Sequence, residues 1–90
     1  ICNTQGATIP RESDAVVYTH AGPEVAVAST KAFVAQITAT YLLGLQLGQA
    51  RGALTDDEAR GLVAELQEVP EKLATVLQVG DRIKELAHWM

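Results

Sequence analysis

Cysteine is nearly absent from this sequence: Cys2 stands alone, so no intramolecular disulfide can close, and with two His the set is too small for a typical zinc module. Basic residues are also scarce. Seven Lys and Arg against eleven Asp and Glu give a net charge of −4, which argues against the broad basic surface of a nucleic-acid or anionic-membrane binder. The sequence has no initiator Met, basic n-region or cleavage-site pattern, so nothing resembles a signal peptide. It has no internal repeat, no low-complexity run and no glycine-rich phosphate motif of the P-loop or dinucleotide type. What it has is apolar content, 48%, too high for disorder, in 90 residues that suffice for one small domain or a piece of one. A cytosolic, globular chain is expected.

The first residues read as a cut. Ile1-Cys2 followed by Asn3-Thr4-Gln5-Gly6 looks like the last residues of a buried strand running into a turn, with most of that strand missing, as in a piece of a longer protein. Charge divides the chain as well. Arg11, Lys31 and Arg51 balance Glu12, Asp14 and Glu24 before residue 55, so the whole net charge of −4 falls on the remainder. That acidic remainder suits solvated helices and places a boundary near Gly52.

Residues 3–10 have turn chemistry, and residues 11–14 form a polar approach to Ala15-Val16-Val17-Tyr18-Thr19. The β-branched and aromatic run predicts a strand over Ala15 to Thr19, apolar almost throughout and without polar alternation, which suits a strand covered on both faces, as in a parallel α/β sheet. A Gly22-Pro23 turn follows, then a helix from about Ser29 to Gln49, with Ser29 or Thr30 as N-cap through its hydroxyl. No charge interrupts residues 32–50, which raises a membrane span, but Gln36, Thr38, Thr40, Gln46 and Gln49 with Gly44 and Gly48 dilute the run, and a helix packed against a sheet is the better reading. Its face of Phe33, Ile37, Tyr41 and Leu45 would be exposed without the rest of a lobe.

Thr55-Asp56-Asp57-Glu58 is a capping box, with Ala59, Leu62, Val63 and Leu66 at helical spacing behind it. Val69-Pro70 stops that helix and opens another, striped by Leu73, Ala74 and Leu77. Gly80 ends this one, Asp81 caps a last short helix, and Ile83, Leu86 and Ala87 are expected to face inward.

Catalytic constellations are sparse. His20 beside a strand end reads as a hydrogen-bonded structural residue, Cys2 as a buried strand thiol, and Asp56 with Asp57 as charge set against a helix dipole rather than a metal site. Position is more telling. A small-residue loop leaves the C-terminal end of a parallel-type strand and enters a helix whose first turn is Ser29-Thr30-Lys31, where α/β folds place ligands. Free N–H groups, two hydroxyls and an ammonium would there hold a sugar hydroxyl or a phosphate. Pattern alone favours capping without a ligand.

The stretch Ala21 to Phe33, AGPEVAVASTKAF, closely resembles the isomerase half of the glucosamine-6-phosphate synthases, the glutamine-fructose-6-phosphate aminotransferases. ASTKAF is its sharpest part. ICNTQGATIPRESDAVVYTHAG is similar to the same family's strand-loop-strand, whereas the helices after Gly52 match only in plan. The resemblance implies a sugar isomerase (SIS) fold of α/β class. Residues 1–52 would be the C-terminal part of a parallel-sheet lobe, with one or two short strands and a long helix, and residues 53–90 a helical segment linking to a second lobe. It implies a cytoplasmic, homo-oligomeric (dimeric) parent that delivers ammonia from glutamine to fructose 6-phosphate and isomerises the product to glucosamine 6-phosphate, without metal or other cofactor. By matching position Val27, through its backbone, and Ser29, through its hydroxyl, lie at the sugar site, and Thr30 and Lys31 share the motif. The family's catalytic residues and phosphate loop match nothing here, so no catalytic residue is assigned; His20 is not its ring-opening histidine, and Cys2 is not its glutaminase nucleophile. Sugar-phosphate deglycases, ketose-aldose isomerases and non-catalytic sugar-phosphate-binding regulators share the fold and parts of the loop, and a purely structural helical module would leave Ser29 without a ligand.

Overall fold

Residues 1–89 are described by a computed structural model; Met90, the last residue of the expected 53–90 segment, lies outside the described residues. The chain divides into two units, Ile1–Leu54 and a second that begins at Thr55.

The first unit opens with backbone pairing. Cys2 N–H donates to Val17 O and Thr19 N–H donates to Cys2 O, each at 2.9 Å, which makes one parallel bridge between Cys2 and Tyr18. The expected strand Ala15 to Thr19 is reduced to that bridge, and no strand forms among the described residues. The reason is local: Asn3 and Thr4 bend away and Gly6 turns with φ 75°, so one residue reaches its partner and no ladder propagates. The loop expected over residues 3–14 contains a one-turn helix, α1 (Thr8–Arg11). Pro10 is buried there, within a first turn that has no intrahelical use for its missing N–H.

The predicted long helix is α2 (Lys31–Ala50), about 30 Å of Ala, Leu and Gln-rich chain. Its end is built by two glycines. Gly52 takes φ 69°, a left-handed conformation that side chains resist, and its N–H donates to Gln49 O at 2.9 Å while Ala53 N–H donates to Gly48 O at 2.9 Å. Gly48 leaves space for the chain that folds back, since a Cβ there would lie 2.7 Å from Leu54 Cδ1. Phe33, Ile37 and Tyr41 are exposed as expected, but Leu45 is buried at 8% exposure. Spacing fixes which residues share a stripe, whereas cover varies along it. No described helix is long and apolar enough to cross a membrane.

The second unit holds α3 (Asp56–Gln67), α4 (Val69–Leu77) and α5 (Gly80–Trp89). The capping box is present: Glu58 N–H donates to Thr55 Oγ1 at 3.3 Å and Thr55 N–H donates to Glu58 Oε2 at 2.9 Å. Ala59 is buried and Leu62, Val63 and Leu66 are half-buried, so α3 keeps its predicted inner face. The next two helices do not. Leu73, Ala74 and Leu77 on α4, and Ile83, Leu86 and Ala87 on α5, are exposed, because three short helices offer no second layer to cover them. Gly80 starts α5 rather than ending α4, which stops at Leu77.

Candidate functional site

The site is built from Asn3 outward. Its Oδ1 accepts from the Thr19 hydroxyl at 3.0 Å and from Ala21 N–H at 2.9 Å, and its Nδ2 donates to Gly22 O at 2.7 Å. These bonds bracket His20, an exposed residue with φ 52° in the left-handed region, whose ring centroid lies 6.2 Å from that of Tyr18. Holding a non-glycine residue there takes surrounding structure, and the Asn3 amide supplies it. Cys2 is a half-buried free thiol. Among the described residues no cluster of His, Cys, Asp and Glu has the arrangement of a metal site.

Past Gly22 and Pro23 the loop carries Glu24 to the start of α2. One carboxylate oxygen accepts from Thr30 Oγ1 at 2.6 Å, Thr30 N–H at 2.9 Å and Lys31 N–H at 2.9 Å; the other accepts from Ser29 Oγ at 3.1 Å and Ala32 N–H at 3.3 Å. The Thr30 hydroxyl first, then the Thr30 N–H, with the Lys31 N–H and the Ser29 hydroxyl adding less, hold the Glu24 carboxyl well below its ordinary 4.5, at about 2.

Two expectations change here. Thr30 occupies the N-cap position, but neither its hydroxyl nor that of Ser29 accepts from the first turn; both donate to Glu24, and the carboxylate caps the helix. An ionised carboxylate only accepts, so five donors converge on it, which two hydroxyl oxygens cannot match in charge. The N–H groups of Thr30, Lys31 and Ala32, expected to be free for a phosphate, are taken. Glu24 was not legible in the sequence as part of this site. Its one signal was an acidic residue after a Gly-Pro turn, ahead of a helix whose own first turn has no acid.

Ser29, Thr30 and Lys31 line the polar end of an open groove of ≈ 1150 Å³, whose walls include Tyr18, Phe33 and Leu42. Val27 lies apart from these, fully exposed in the bend of residues 26–28. With their protons committed to Glu24, the two hydroxyls offer lone pairs outward, a surface that accepts hydrogen bonds from a polyol beside one ammonium.

Comparison with known proteins adds the lineage. Residues 1–46 match the SIS domain family. The chain belongs to that family. The SIS match takes in the Asn3 clamp, the Glu24 cap and most of α2. Over all of its 90 residues the chain is 67% identical to a glutamine–fructose-6-phosphate aminotransferase (isomerizing) of Leifsonia xyli subsp. xyli. Similar proteins of the same description are 62% identical over 91 residues in Corynebacterium diphtheriae and 56% identical over 87 residues in Streptomyces coelicolor. This SIS chain is covered at 97 to 100% but spans only 14 to 15% of the length of those relatives. No solved structure matches it.

Proposed function

We propose that this SIS chain is part of the isomerase domain of a glutamine–fructose-6-phosphate aminotransferase and forms one wall of its sugar-phosphate site. The observation that carries this reading is 67% identity over every residue to a protein of that description. In this reading residues 1–52 end the first lobe, and the remainder of the parent chain completes a parallel sheet begun by the Cys2–Tyr18 bridge. Residues 53–90 link to the second lobe. The parent works in the cytoplasm as a homodimer, moving ammonia from glutamine to fructose 6-phosphate and isomerising the adduct to glucosamine 6-phosphate.

The hydrogen-bond polarity of the groove end supports a role for Ser29 at a sugar hydroxyl: its O–H donates to Glu24, so its lone pairs accept a hydrogen bond from the ligand. Thr30 has the same polarity, Lys31 supplies a positive charge, and Val27 contributes its backbone from the exposed bend. The phosphate is bound elsewhere in the parent, because Glu24 fills the helix N-terminus. The test is glucosamine 6-phosphate formation by the full-length protein carrying this segment. Turnover is expected, and Ser29→Ala is expected to raise KM for fructose 6-phosphate or lower kcat by several-fold, consistent with loss of a bond contributing about 0.5 to 1.5 kcal/mol. No product from wild type with both substrates would reject the reading.

A further inference from the structure

We infer that Glu24 is a positioning residue of the sugar site: its carboxylate fixes Ser29 and Thr30 as hydrogen-bond acceptors and so sets which ligand groups that end of the groove receives. The inference rests on the sugar-phosphate reading above and deepens it. A free hydroxyl rotates and serves as donor or acceptor as its neighbours require. Neither hydroxyl here has that freedom. Thr30 Oγ1 lies 2.6 Å and Ser29 Oγ 3.1 Å from carboxylate oxygens that can only accept, so each hydroxyl must donate inward. The Thr30, Lys31 and Ala32 N–H groups bind the same carboxylate, which anchors it on three backbone points and stops it from turning.

The consequence is a selection by proton. Hydroxyls of a sugar, which can donate, are received by Ser29 and Thr30. Carbonyl, phosphate and carboxylate oxygens meet lone pairs on these two hydroxyls with a fixed negative charge behind them, and find a donor only in the neighbouring Lys31 ammonium. Ser29 and Thr30 therefore take the polyol part of a sugar phosphate, not its phosphate.

Glu24→Gln separates positioning from capping. With the amide oxygen in the place that accepts from Thr30 and Lys31, those N–H bonds persist, but the amide NH2 then faces Ser29 Oγ and the Ala32 N–H, so it donates to the Ser29 hydroxyl, forces it to reverse and takes the acceptor away from Ala32. In the full-length protein, Glu24→Gln is expected to lower thermal stability less than Glu24→Ala does, while KM for fructose 6-phosphate rises roughly three- to ten-fold, the scale of one or two neutral hydrogen bonds. Glu24→Ala should lower both stability and affinity. Unchanged KM in Glu24→Gln, in a protein where Ser29→Ala does raise KM, would overturn the inference and leave the functional reading intact. A stability loss in Glu24→Gln equal to that in Glu24→Ala, with KM unaltered in both, would make Glu24 a cap and nothing more. Wild-type protein that neither binds nor turns over fructose 6-phosphate would remove the reading itself, and the inference with it.

Discussion

Asn3 and Ala21, eighteen residues apart, are joined by a 2.9 Å hydrogen bond from the Ala21 amide to the Asn3 side-chain oxygen. This bond, with those to Thr19 and Gly22, decides where the loop leaves Tyr18 and so where Glu24 arrives. Asn3→Ala should therefore act at a distance. It is expected to cost about 1 to 2 kcal/mol for the lost partners and to release protection of the Thr30, Lys31 and Ala32 amides. Amide hydrogen exchange in the full-length protein checks this; protection unchanged at all three would show that the loop holds its course without the clamp.

Acid should open the start of α2. Glu24 titrates at about 2 when folded, below its ordinary 4.5, and Glu58 is lowered in the same direction by the Thr55 N–H and hydroxyl. A depressed folded value means that the unfolded chain binds the proton more tightly, so the contribution is fully present above the ordinary value and is lost as pH falls from there through the folded one. Protection at Thr30 to Ala32 is expected to hold from neutral pH down to about 4.5 and to fall between there and about 2. In Glu24→Gln that step should vanish, while the Glu58 step at α3 remains.

The two glycines of the α2 terminus should respond differently to alanine. Gly52→Ala forces a side chain into the left-handed region at φ 69° and is expected to cost about 1 to 2 kcal/mol, read as faster exchange of the Gly48-bonded Ala53 amide. Gly48→Ala gains helix propensity but presses on Leu54 Cδ1 at 2.7 Å and Cγ at 3.3 Å, and if that side chain swings aside the net change should stay below about 1 kcal/mol. An equal loss at both sites would mean that Leu54 cannot swing aside.

The ninety residues alone should be helical, self-associating and without activity on fructose 6-phosphate. Among the described residues Pro10, Leu45 and Ala59 are buried, whereas Phe33, Val34, Ile37 and Leu47 are each more than half exposed. That core is too small for a cooperative domain. Circular dichroism is expected to show helix with a broad thermal transition, and light scattering to show association. A monodisperse monomer with a sharp transition would contradict this.

Much of the helical plan was legible in the sequence because its signals are local. The α2 boundaries lie within two residues of the expected Ser29 to Gln49, and Thr55 with Glu58 announced α3 through a reciprocal pair three residues apart. Glu24 was not legible as a cap because its partners lie five to eight residues on, across a loop whose path depends on Asn3. Leu45 shares a stripe with Phe33, yet only one of them is covered, and periodicity carries no information about cover. For Ile83, Leu86 and Ala87 the pattern described an inward face, while the described residues hold no layer for it to face.

The two ends of α2 also differ in time. Synthesis delivers the chain in order, so Glu24, seven residues ahead of Lys31, is in place before the first turn exists. The first turn is the costly one to form, and here it begins with its acceptor waiting. The closing bonds need Gly52 and Ala53, and the seat on Gly48 needs Leu54, all of which follow the helix. On the ribosome the residue that caps the start of α2 therefore emerges before the helix, and those that close its end, Gly52, Ala53 and Leu54, emerge after it.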